Sequence, residues 1–317
     1  MTSATLARPV ARPAVGVAMV ICAGSMFALN GTVSKLLLQG GFDPLQLSTF
    51  RATGGLLGLL LISVVVRPGP RRLALRWAEV PRLIAFGLAG FFFVPALYFL
   101  AISRLPVGIG LLLEYMGPLF VALWVRFGEH QQVKPRLWVG LVLCLAGLAG
   151  VAQIWVGEPR LDPIGTAAGL VCAVLLAVYY VLGSKSVQQR DPISLTCWAF
   201  GVSSVAGAIV RPWWNFPTGI LTRTSGGVPM WLLAAYLLVF GTIVSYLLTS
   251  ASMRHLPPTS VGIVGMIEPV LATAIAWVFL NEVLDTGQIL GGLVLLAGVM
   301  LAETARTAIQ TPEIPPG

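Results

Sequence analysis

Charge is scarce in this sequence. Only 10% of its 317 residues are Asp, Glu, Lys or Arg, and there are two histidines and four cysteines. Water-soluble globules carry about 25% charged residues, so a soluble globule is excluded. No G-x-x-x-x-G-K-[ST] stretch occurs, which removes nucleotide hydrolysis by a phosphate loop. H-E-x-x-H is absent too, and His130 and His255 fall in connections between apolar runs. Cys22, Cys144, Cys172 and Cys197 all lie inside apolar runs without ligand spacing and read as small buried hydrophobes. The sequence therefore calls for no metal and no cofactor.

Apolar surface is what the chain has in excess, at 57% of residues. A membrane-crossing helix needs about 20 apolar residues at 1.5 Å rise each. Ten such runs are predicted, at 14–37, 44–66, 80–101, 106–126, 136–155, 163–183, 192–211, 229–252, 258–280 and 286–303. None alternates in polarity as barrel strands do. The expected fold class is an all-α polytopic membrane protein of ten transmembrane helices.

The net charge of +8 is a matter of placement. Arg8, Arg12, Arg67, Arg71, Arg72, Arg76, Arg82, Arg126, Lys134, Arg136, Lys185, Arg190, Arg254 and Arg306 fall on one side of the predicted spans. Arg104, Arg160, Arg211 and Arg223 fall on the other, with Lys35 near its border. Fourteen against four puts both termini in the cytoplasm by the positive-inside rule. Spread over six segments, these charges form no single basic patch, and nucleic acid is not an expected partner. Arg71–Leu83 reads either as an interfacial helix with Trp77 at the lipid boundary or as a solvated loop. Trp213, Trp214 and Phe216 fit an aromatic belt.

The chain repeats itself at about 150 residues. DPLQLSTF (Asp43–Phe50) matches DPISLTCW (Asp191–Trp198), and Ser34-Lys35 matches Ser184-Lys185. RLP (Arg104–Pro106) matches HLP (His255–Pro257), Pro118 falls opposite Pro269, and GLVLCLAG (Gly140–Gly147) resembles GLVLLAG (Gly292–Gly298). Because five spans are an odd number, the second copy must enter the membrane with opposite polarity. The domain reading is a tail at 1–13, a first five-helix repeat at 14–156, a second at 157–304 and a tail at 305–317. Inverted repeats are common in secondary transporters, with the substrate near the midplane.

Ten spans in two halves, with Glu268-Pro269 inside the ninth and Asn281-Glu282 closing it, resemble the EamA family of the drug/metabolite transporter superfamily. LPVGIGLLLEYMGPLFVAL (Leu105–Leu123) is similar to its threonine/homoserine exporter branch. The resemblance implies a multi-pass bacterial plasma-membrane protein, not an enzyme, that exports small metabolites such as amino acids. It further implies a small-molecule substrate and a lipid environment, with a proton or an exchanged solute to drive transport. An intramembrane enzyme and a channel-like pore are the alternatives. The halves differ at one point: Glu114 stands four residues before Pro118, whereas Glu268 directly precedes Pro269.

Ionisable side chains at membrane depth are expensive and mark function. Arg51 and Glu114 each fall ~10–12 Å below the outer face by helical rise, so they can form a structural ion pair or a charged cavity wall for an amino-acid-like substrate, unless Arg51 snorkels to the interface. Glu268 falls near mid-bilayer as a hinge marker or proton-binding site, with Pro118 and Pro269 as the helix-break candidates. Asn30, Tyr98, Tyr115, Tyr179, Tyr180, Ser245, Tyr246 and Thr249 are the accompanying polar groups, each a substrate contact or an interhelical hydrogen bond. Ser34-Lys35 and Ser184-Lys185 lie at opposite membrane faces, where the lysines are expected to snorkel, with a gating role as the alternative. Glycine pairs at Gly54/Gly58, Gly165/Gly169 and Gly287/Gly291 fit close helix packing, and the last pair also fits homodimerisation through the tenth span.

Overall fold

The computed structural model describes residues 12–66, 73–155, 162–212, 218–272, 274 and 285–307. In chain order the helical rods are α1 (Pro13–Gln39), α2 (Pro44–Val65), α3 (Trp77–Arg104), α4 (Val107–Gly128), α5 (Pro135–Val151), α6 (Pro163–Ser186), α7 (Pro192–Val210), α8 (Met230–Ser252), α9 (Pro258–Ala272) and α10 (Thr286–Ala305). Eight are long and apolar enough to cross a bilayer; α5 and the described part of α9 are shorter. The remainder of the run expected to 280 lies outside the described residues, as do Arg8, Arg67, Arg71, Arg72, Glu158, Arg160, Trp213, Trp214, Phe216, Asn281 and Glu282. The all-α expectation needs one amendment. Strands β1 (Thr224–Ser225) and β2 (Val228–Pro229) pair antiparallel between α7 and α8. Gly226 and Gly227 turn the ribbon with φ of 56° and 77°, the left-handed values a two-residue hairpin requires.

Capping explains the repeated Asp-Pro. Asp43 Oδ1 accepts from the N–H groups of Leu45 and Gln46 at the start of α2. Asp191 Oδ1 does the same for Ile193 and Ser194 of α7. Proline follows each cap, where its missing N–H costs nothing.

The packing is symmetric under exchange of the two halves. α2 lies on α7 and α5 on α10, while the contact of α3 with α6 is mirrored by that of α8 with α1. α5 and α10 approach backbone to backbone: a Cβ on Gly291 would sit 2.6 Å from the Gly150 carbonyl carbon, and one on Gly298 2.7 Å from the Cys144 nitrogen. Gly54 and Gly58 face Leu238 and Ile243 of α8, and Gly165 and Gly169 face Leu105 and Leu113. All three glycine pairs are thus spent on packing within the chain, Gly287/Gly291 at least through Gly291.

Three rods are interrupted, two of them at the proline positions named as helix-break candidates. α1 breaks at Ala28-Leu29, α4 at Tyr115-Met116 and α9 at Met266-Ile267. In α4 and α9 the cause is Pro118 and Pro269, which cannot donate to the carbonyls of Glu114 and Gly265 one turn earlier. α1 breaks just before Asn30-Gly31, two weak helix formers. α3 and α8 carry matching π-helical turns at Leu88–Phe93 and Val239–Val244. Hydroxyls reach carbonyls of both: Ser203 donates to Phe91 O at 2.8 Å, Thr242 to Leu237 O at 2.7 Å, and Ser245 to Phe240 O. Irregular backbone at membrane depth survives only when its polar groups are satisfied in this way.

Candidate functional site

The breaks and π-turns converge. A cavity of about 100 Å³ lies among α1, α2, α3, α4, α6, α8 and α9, lined by Asn30, Arg51, Tyr98, Glu114, Tyr115, Tyr179, Tyr180, Tyr246, Thr249 and Glu268 on an apolar wall that includes Phe27, Val94 and Val261. Of the eleven polar side chains singled out from the sequence as ionisable or accompanying groups, all but Ser245 border it; Ser245 donates to Phe240 O in its own helix instead. Pro118 and Pro269 are buried beside it, at the breaks that aim Glu114, Tyr115 and Glu268 inward.

Arg51 is 3% exposed. Its guanidinium donates to Tyr246 Oη at 2.5 Å and lies over two rings, 4.9 Å from the Tyr246 centroid and 5.6 Å from that of Phe99. Aromatic faces attract a desolvated cation, so this part of the wall holds a positive charge without a carboxylate. The π-turn of α8 ends immediately before Ser245-Tyr246 and sets the direction of that tyrosine. Tyr246 also packs on Phe91 at 4.7 Å and Phe27 at 5.6 Å.

The acidic part is built from α4 and α9. Tyr115 donates its hydroxyl to Glu268 Oε2 at 2.6 Å. Glu114 stands one residue earlier and faces the cavity. No ion pair joins Arg51 to Glu114 among the described residues. The ion pair allowed by equal depth is therefore not formed, because the Tyr246–Phe99 pocket holds the guanidinium instead. One cation and two carboxyls share the cavity without neutralising each other in contact.

Other groups serve the frame. Tyr236 donates to Met26 O at 2.8 Å, satisfying a carbonyl left by the break in α1. Tyr98 packs beside Gly31, just past that break, and Tyr180 beside Gly262 of α9. Asn30 Oδ1 sits against Gly241 in the π-turn of α8, buried without a hydrogen-bond partner. Sequence reasoning missed Phe99 and Tyr236. Phe99 lies in an unbroken apolar run and carries no polarity signal; Tyr236 becomes legible only once α1 is known to break. The Lys35 ammonium donates to Ile102 O at 2.7 Å and Leu105 O at 3.0 Å, at the end of α3. Lys185 pairs with Glu129 at 3.1 Å. The Arg71–Leu83 segment, where described, leaves Trp77 89% exposed, while Glu79 anchors it to Arg190 at 2.7 Å. No cluster of three His, Cys, Asp or Glu able to hold a metal occurs among the described residues.

The sequence matches the EamA-like transporter family over residues 14–153 and again over 163–304. An uncharacterised transporter of Archaeoglobus fulgidus is 30% identical over 276 residues, 86% of this chain and 92% of that one. The threonine/homoserine exporter RhtA of Salmonella typhimurium is 29% identical, over 77% of each chain. RhtA of Escherichia coli K12 is 27% identical, over 69% of this chain and 70% of its own. A solved crystal structure superposes with a TM-score of 0.75 at 17% identity, covering 95% of this chain and 100% of the other, which shows a shared fold.

Proposed function

Since the chain belongs to the EamA-like transporter family and is a multi-pass membrane transporter, we propose that it exports small zwitterionic metabolites of the amino-acid type. In this reading ten spans form two oppositely oriented repeats, 14–156 and 157–304, between cytoplasmic tails at 1–13 and 305–317, in a bacterial inner membrane. The repeats exchange conformations, so that the cavity opens to each face in turn. A proton or a counter-transported solute supplies the energy.

The observation that carries the proposal is the cavity's unpaired charge. Arg51 is held by Tyr246 and Phe99, and Glu268 by Tyr115. A carboxylate entering the cavity meets the guanidinium, whose fork suits it, and an ammonium meets Glu114 and Glu268. A substrate carrying both charges completes both partnerships at once. Threonine and homoserine, named for the RhtA relatives, fall in that class.

An untargeted comparison of the medium around bacterial cells with and without the chain tests the substrate class. Zwitterionic amino acids or close analogues should accumulate outside expressing cells. Enrichment confined to uncharged or purely anionic compounds would overturn the assignment.

A further inference from the structure

Away from the cavity, the repeated corners Arg104-Leu105-Pro106 and His255-Leu256-Pro257 occupy equivalent places on opposite faces of the bundle. Each seats on a glycine in the first turn of a rod from the other half. A Cβ on Gly165 of α6 would lie 2.9 Å from Leu105 Cγ and 3.1 Å from Arg104 Cβ. One on Gly16 of α1 would lie 2.6 Å from Leu256 Cγ and 2.8 Å from His255 Cβ. Each corner also carries a polar tie to that same helix start: Arg104 to Asp162 at 3.4 Å, and His255 Nδ1 accepting from the Arg12 N–H at 3.3 Å.

The symmetry fails at one pair of residues. Lys35 spans the ends of α1 and α3, donating to the carbonyls of Ile102 and Leu105, which the end of a helix leaves without intrahelical partners. Its repeat mate is Lys185, and the mates of those carbonyls are on Met253 and Leu256. Lys185 instead reaches Glu129, and no described hydrogen bond ends on the carbonyl of Met253 or Leu256. The backbone fails to match at the same place. α1 is broken at Ala28-Leu29, which separates the piece bearing Lys35, Asn30–Gln39, from the rest, whereas α6 runs unbroken from Pro163 to Ser186.

We propose that Lys35 is the latch of the gate on the face opposite the N terminus. In the exchanged conformation Lys185 takes the carbonyls of Met253 and Leu256 while Lys35 lets go. The physical case is that two copies of one topology are here in two different arrangements, one latched and one free. In this proposal the latched face is the closed one, and exchanging those arrangements between the copies opens it and shuts the other. This rests on the alternating-access reading above and adds to it the residues that hold each gate.

The test is cysteine accessibility. Val94 lines the cavity; Val94→Cys is placed in a chain whose four native cysteines are serine and labelled with a membrane-impermeant maleimide in spheroplasts and in inverted vesicles. Lys35→Met should raise the labelling rate from the face opposite the N terminus roughly tenfold, the scale expected for losing a charged group's hydrogen bonds. Lys185→Met should lower it, and Lys35→Arg, which can still donate, should stay near the parent. Lys35→Gln gives a second reading should the methionine variant fail to insert. An unchanged rate in the neutral Lys35 variants, or both lysine variants moving the rate in the same direction, overturns the latch. Labelling needs no substrate, so the two claims separate. A rate shift without threonine exchange defeats the transport reading alone, and exchange with an unmoved rate defeats the latch alone.

Discussion

Tyr115 donates its hydroxyl to Glu268 at 2.6 Å, and that bond joins the two broken helices of the molecule's repeat-related pair. Tyr115 sits on the break of α4 and Glu268 immediately after the break of α9. Both breaks are set by prolines 151 positions apart, Pro118 and Pro269. One side-chain hydrogen bond thus joins the two break points.

Tyr115→Phe removes that bond and little else. A hydrogen bond to a carboxyl in such a setting is worth about 1.5 kcal/mol, or roughly a tenfold change in an equilibrium between conformers. Transport should fall by about that factor with membrane abundance unchanged, as read by initial-rate export and by immunoblot of the membrane fraction. Wild-type rates in this variant would mean that the bond plays no part in transport.

Arg51 and Glu114 separate substrate recognition from structure. Glu114→Gln should cut transport by roughly tenfold or more while leaving insertion intact, since Glu114 has no hydrogen-bonded or ion-paired partner among the described contacts that its loss would strand. Arg51→Lys should lose most of the activity too, because an ammonium lacks the planar fork. If abundance falls in proportion to activity in both variants, the pair is structural.

How legible was this arrangement? The apolar runs, the repeat and the buried charges stood out because each is a departure from the lipid-compatible background. Of the polar residues chosen on that ground, all but Ser245 border the cavity. What the sequence could not give was the partner of Arg51. Depth counting allows Glu114, but Phe99 and Tyr246 win through the π-turns of α3 and α8, which shift side-chain direction; Pro95 follows the first turn, but no proline marks the second. The partners of Lys35 were hidden for a related reason. Its place near a span end suggests snorkelling, and nothing in the sequence says that two unbonded carbonyls from α3 lie within its reach.

The α5–α10 contact is a rigid seam. Gly291→Leu would drive a side chain into the backbone of Gly150 and Val151, and overpacking of this kind costs about 1–3 kcal/mol. The midpoint of thermal unfolding in detergent should drop clearly, by more than for Gly219→Leu, where a Cβ meets nothing within 4 Å. Equal midpoints for the two variants would mean that the seam is not as close as described.

The proposed proton coupling is tested at Glu268, the carboxyl beside the break in α9. If Glu268 carries the proton, Glu268→Gln, which cannot exchange one, should abolish the response of transport to an imposed pH gradient while retaining some exchange of substrate. A gradient response equal to that of the parent protein would assign coupling elsewhere.

The most direct measurement is counterflow in proteoliposomes: unlabelled L-threonine or L-homoserine loaded inside, a trace of labelled compound outside. A carrier with one central site must show saturable uptake, accelerated by the internal load and lost in Arg51→Ala. Flux that rises linearly with concentration and ignores the internal load would mean a pore, contradicting a single charged cavity that opens to one face at a time.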